Sequence, residues 1–299
     1  MTRWLARLAL RLYPLAFRRR YGEEMLALLE ESPPRTAEVI DLLRGAMAAH
    51  LRPAATETGL VDSADRMRAS MSGQLACWVA FAAAGFGFYI TTEDAPFTAT
   101  GRAHPLLGGA HLAIQVIAVL ASGAVLVGAL PLIVATVGRA RREPRLWRLV
   151  SLPPLVVVLF VGLTRLMELV SSSQPAHPTS SAGAIAFLTW GVAGLGCAAV
   201  CVVAARGALF AVAMPRWRLV AAFACGTFVT AAMVAIALAT TLYGIALFAD
   251  ASHLAASGNG PFQLLSTGVS LAVQLLVMVL AATLAATSTR RGWRAVALD

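Results

Sequence analysis

The chain has no lysine; all 24 of its basic residues are arginine. Acid is scarcer still, with 15 Asp and Glu, and the two signs together make up only 13% of the 299 residues. A soluble domain carries about twice that share, so water is not this chain's main solvent. Without lysine there is no G-x-x-x-x-G-K-[ST] loop to cradle a nucleotide phosphate, which excludes an ATPase of that style. H-E-x-x-H and G-x-S-x-G are missing as well, removing two common hydrolase arrangements. The four cysteines, Cys77, Cys197, Cys201 and Cys225, form no Cys-x-x-Cys pair and sit in apolar runs. They read as packing residues, not as a disulfide framework. From these absences the chain is expected to be non-catalytic and to hold no cofactor or metal.

What is present is apolar. Hydrophobic residues make up 59% of the chain, and the mean hydropathy is +0.74. Six stretches reach the roughly 20 residues needed to cross a bilayer, at about 73–92, 110–137, 149–171, 182–205, 217–248 and 264–288. The expected fold is all-α: a six-helix transmembrane bundle over 73–288, in contact with the lipid bilayer. A small helical module at 1–52 and a connector at 53–72 precede it, and a tail at 289–299 follows. The arginine-only, Ala- and Leu-rich composition reads as a GC-rich bacterial coding sequence, so the expected location is a bacterial inner membrane.

Arginine placement sets the orientation. Three of the loops and ends between spans hold Arg139, Arg141, Arg142, Arg145, Arg148, Arg206, Arg216, Arg218, Arg290, Arg291 and Arg294; the three on the other side hold only Arg102. Eleven against one predicts both termini in the cytoplasm. It also makes the net charge of +9 a topology signal, so no nucleic acid is expected as a partner. Arg7 and Arg11 interrupt the first apolar stretch, so no cleavable signal peptide is expected.

The first 52 residues are the charged part of the chain, and they predict three short helices. The first spans about 3–12, with Arg3, Arg7 and Arg11 on one stripe and Trp4, Leu5, Leu8 and Leu12 on the other face. Such a helix either rests on an anionic membrane surface or packs its apolar side on the next helix. A second helix starts near Pro14 and repeats Phe17, Tyr21, Met25 and Leu28 on one face. Gly22 either lies within it or breaks it, leaving Glu23 and Glu24 at a new helix start. A third follows Ser32-Pro33-Pro34, with Val39, Ile40, Leu43, Met47 and Leu51 as its apolar face.

The segment YPLAFRRRYGEE, carried by Tyr13, Pro14, Phe17, Arg18, Arg20, Tyr21, Gly22, Glu23 and Glu24, resembles the permease prefix domain. Asp41, Leu42, Leu43 and Arg44 form a second, weaker block of the likeness. That module precedes bacterial ABC-type permeases of the macrolide-exporter kind and heads some actinobacterial membrane proteins. The resemblance implies a cytoplasmic docking module, with Tyr13, Pro14, Phe17, Arg18, Arg20, Tyr21, Glu23 and Glu24 as its partner-facing residues. It does not extend to the large extracytoplasmic domain of those permeases, since the first outer loop, 93–109, is too short to hold one.

Two further groups carry polar chemistry. Arg165 and Glu168 stand three apart inside the third span, where ionisable groups are costly and pair or line a pathway. They read either as a polar relay or as a pair reaching toward the interface. His104, His111, His177 and His253 fall on or near the outer face, either as candidate metal ligands or as solvated loop residues. Two functions follow as expectations. One is a docking, signalling or accessory protein that binds a cytoplasmic or membrane protein partner through residues 1–52. The other is a permease subunit of the ABC-exporter type working with a separate ATPase.

Overall fold

The computed structural model describes residues 4, 6, 9–10, 13, 15–31, 36–51, 63–92, 95–171, 181–212, 214–257 and 266–297. Among the described residues there is no strand. Among the described residues the N-terminal module holds α1 (Leu15–Glu31) and α2 (Thr36–Leu51), and residues 4, 6, 9 and 10 before them are also helical. Then come α3 (Ser63–Thr92), a short α4 (Ala95–Ala103), α5 (Pro105–Ala140), α6 (Pro144–Ser171) and α7 (Ser181–Ala211). The chain continues with α8 (Arg216–Asp250), a one-turn α9 (Ser252–Ala256) and α10 (Thr267–Ala297). Six of these, α3, α5, α6, α7, α8 and α10, are long and apolar enough to cross a membrane. The chain is an all-α, multi-pass membrane protein.

Packing places α8 at the centre, against α3, α5 and α10, while α6 and α7 pair with each other at the periphery. The burial of each helix's apolar stretch agrees: 44% for α8 and 39% for α10, but none for α6. The distribution of side chains explains why this bundle needs lipid. Large aliphatic residues such as Leu112, Val119, Leu126, Val158 and Leu159 point outward, at 60–72% exposure. The interior instead holds Ala121, Ala232, Ala281, Ala282 and Ala285, with a few bulky anchors such as Phe88, Phe223, Met233 and Met278. In water that arrangement would waste the most hydrophobic surface. In a bilayer the tails satisfy the outer Leu and Val, and small inner residues let backbones approach closely.

The helices overrun the predicted spans. The helix α3 begins at Ser63, ten residues before the apolar run, so the second half of the expected connector is helical. Asp65 accepts a hydrogen bond from Arg68 there (2.8 Å), an i,i+3 pair that makes the polar first turns compatible with helix. The helix α10 likewise runs on to Ala297, through most of the expected tail. Pro153 and Pro154 lie inside α6, whose first residue is Pro144. Proline suits a first helical position, and in membrane helices interior prolines are tolerated. The 36-residue α5 also contains an internal proline, Pro131, and carries no Asp, Glu or Arg from Pro105 to Gly138.

The N-terminal module differs from its predicted faces by a rotation. The helix α1 runs through Gly22 without a break. Leu10, Tyr13 and Ala46 form the buried nucleus, with Met25, Leu29 and Leu42 packed against it. Trp4 is outside, at 66% exposure, while Ala6 and Ala9 are inside. On α2, Val39 is buried and Ile40 is exposed. The physical reason is the small size of the nucleus. It selects the residues that let helices approach, Ala6, Ala9, Ala46 and Gly45, and leaves Trp4, Leu28 and Ile40 over.

Candidate functional site

Among the residues expected to dock a partner, Tyr13 is a core residue. It is 7% exposed, and its ring lies so close to Gly45 that a Cβ there would collide with the phenol oxygen. Burial pushes its phenol pKa above the usual value. Tyr21 is 37% exposed, and Glu23 and Glu24 are exposed on α1. Tyr21, Glu24 and Leu28, at spacings of three and four, lie on one stripe of that helix. Pro14, and the side chains of Phe17, Arg18 and Arg20, lie outside the described residues.

In the third span, Arg165 is exposed on α6 and the side chain of Glu168 lies outside the described residues. Next to Arg165, Thr164 accepts a hydrogen bond from the indole N–H of Trp190 (2.9 Å), which ties α6 to α7. Trp190 also stacks on Phe160 with ring centroids 5.5 Å apart. Phe160 and Trp190, with Trp78, Phe86 and Leu195, line an apolar groove of about 650 Å³ between α3 and the α6–α7 pair.

The described histidines have separate surroundings. His104 occupies the N-cap position of α5 without a side-chain capping bond, and its Nδ1 stands 3.6 Å from Asp250 Oδ2, between the α4–α5 junction and the end of α8. His111 is half-buried between the rings of Phe88 (6.2 Å) and Tyr243 (6.1 Å), with its Nε2 3.0 Å from Gln115 Nε2. His253 is exposed on α9, and His177 lies outside the described residues. Among the described residues no three His, Cys, Asp or Glu side chains meet as a metal site.

The most organised polar feature is one that span-counting does not reveal. At the arginine-rich end, Gln74 of α3 donates to Thr289 Oγ1 of α10 (2.6 Å), and Thr289 Oγ1 lies 3.1 Å from Thr230 Oγ1 of α8. Close by, Ser288 Oγ donates to the Ser70 carbonyl across α10 and α3 (3.0 Å). At the opposite end, Gln274 of α10 donates to Ser270 Oγ (3.0 Å) and to Thr91 Oγ1 of α3 (3.3 Å). Two polar seams therefore clamp α3 to α10, one with α8. Their sequence signal is Gln74 and Gln274, lone amides in apolar stretches, where an unpaired polar group is expensive. Comparison of the chain with protein-family models, with curated proteins and with solved structures returns no match.

Proposed function

We propose that this is an inner-membrane protein with both ends of its bundle's chain in the cytoplasm, where the module at 1–52 docks a protein partner. The orientation reading rests on the arginine asymmetry between the two sets of loops. The docking reading rests on one observation: Trp4 (66% exposed), Leu28 (64%) and Ile40 (46%) stand outside the nucleus of the one segment too charged for lipid. A cytoplasmic helix gains nothing from large apolar side chains in water; a partner surface that covers them supplies the burial. Tyr21, Glu23 and Glu24 add an aromatic and two carboxylates on α1, so the complementary surface is apolar and basic. The likeness of 13–24 to the permease prefix domain points the same way.

The experiment is in-cell photo-crosslinking from a probe at Tyr21 or Leu28, read by mass spectrometry. A single protein partner, lost in a Leu28→Glu variant that still inserts, supports docking. If that partner is an ATPase subunit, the permease reading takes over. Adducts to lipid alone would remove docking and make the module a membrane-surface anchor.

A further inference from the structure

Two of the four cysteines stand together. Cys197 and Cys201 carry free thiols, are half-buried, and lie one helical turn apart on α7. The Cys201 thiol hydrogen-bonds to the Cys197 sulfur, so the two side chains meet. Trp190, Gly194, Cys197 and Cys201 follow at spacings of four, three and four, which is one stripe of the helix. That stripe runs along α6. Trp190 bonds to Thr164 and stacks on Phe160, and a Cβ added to Gly194 would meet Phe160 at 3.0 Å. No charged residue lies between Trp190 and Ala205 of α7, or between Leu149 and Thr164 of α6 beside it.

The chemistry of this pair narrows to one class of ligand. Side chains four apart on a helix have Cβ atoms about 5–6 Å apart, whereas a disulfide needs about 3.5–4.5 Å, so the helix opposes oxidation of the pair. The same spacing suits a single atom between the sulfurs. Two metal–thiolate bonds of about 2.3 Å place them up to about 4.6 Å apart. Thiolates prefer soft metals. Zinc takes four ligands, and among the described residues no third His, Cys, Asp or Glu joins the two sulfurs. That leaves the ions satisfied by two ligands in a line, of which monovalent copper and divalent mercury are the common examples. Charge decides between them. Two thiolates on a monovalent ion bring one net negative charge into a stretch without charged side chains, whereas two on a divalent ion are neutral.

We infer that Cys197 and Cys201 form a two-coordinate site for a soft divalent cation, the mercuric ion, held within the membrane where α7 runs along α6. Binding replaces both S–H bonds with S–metal bonds and releases two protons to water; nothing is oxidised or reduced. The neutral product needs no counter-ion in lipid. The site is independent of the partner that the N-terminal module docks.

The full chain, purified in mild detergent, is loaded with mercuric chloride, washed with millimolar glutathione and weighed by native mass spectrometry. One mercury per chain should remain, with the loss of two protons, because two thiols fixed on one helix outcompete two that must be brought together. A chain carrying both Cys77→Ser and Cys225→Ser should keep it. Cys197→Ser and Cys201→Ser should each lose it, and Cys201→Ala repeats the reading without an added hydroxyl. Zinc chloride under the same wash should leave no adduct. Melting temperatures without metal should match across the variants, which separates loss of the ion from loss of the fold. Retention in Cys201→Ser, loss from the chain that keeps only the pair, retention of zinc, or mercury found only as a mixed adduct with glutathione would overturn the site.

Discussion

Tyr13 shows how one side chain can organise a small domain. Its ring fills the space that Gly45 leaves open, so Gly45→Val should unfold the module while leaving the bundle in the membrane. Protease sensitivity confined to residues 1–62 is the readout. The same burial has a pH consequence. Because the phenol's pKa is raised in the folded state, the unfolded chain loses its proton first as pH climbs past about 10, and folding weakens from there. Alkaline melting of the module, followed by tryptophan fluorescence, should move to higher pH in Tyr13→Phe if that variant folds. Within the membrane, the Gln74–Thr289 bond should give a coupling of about 1 kcal/mol in a double-mutant cycle of Gln74→Leu and Thr289→Val. A Cβ at Gly226 would strike the Gln74 amide oxygen, so Gly226→Ala should push that side chain off Thr289 and lower the coupling read by the same double-mutant cycle.

At the scale of elements, the two classes of membrane helix should behave differently. The core helices α8 and α10 are bound by packing on several sides and by hydrogen-bonded seams, whereas α6 has its partner mainly in α7. Hydrogen exchange in detergent micelles should therefore proceed faster in α6 and α7 than in α8, and equal protection would contradict this arrangement. The six helices were legible in the sequence because about 20 apolar residues can be read by counting. Their starts were less so, because counting apolar residues misses polar helical turns, such as those held by Arg68 and Asp65 before the first span. The inner and outer faces were the least legible, since alanine is abundant everywhere and marks close packing only where a second helix is present. In the module, Trp4 and Ile40 are apolar by composition yet outside by position, because a nucleus around Tyr13 accommodates few large side chains.

For the whole molecule, the charge asymmetry makes a direct prediction about sidedness. In a variant lacking its four native cysteines, a new cysteine at Arg142 should resist a membrane-impermeant maleimide in intact spheroplasts, while one at His253 should react. The reverse pattern would invert the orientation and with it the docking proposal. The scattered histidines needed three-dimensional placement to be sorted, because sequence distance does not report that His104 meets Asp250, or that His111 rests between two rings. The His104–Asp250 link is half exposed, so Asp250→Asn should cost less than about 1 kcal/mol.

The length of α5 also sets a condition on its surroundings. At 1.5 Å per residue its 36 residues extend about 54 Å, against a hydrocarbon layer of about 30 Å. Its uncharged stretch, Pro105 to Gly138, still extends about 51 Å and cannot stand upright without carrying apolar side chains into water. It must lean, bend near Pro131 or draw the surrounding leaflets apart, and each response works against the elasticity of the membrane. The energy of the bundle in the bilayer therefore depends on thickness: longer acyl chains relieve the mismatch, and shorter ones aggravate it.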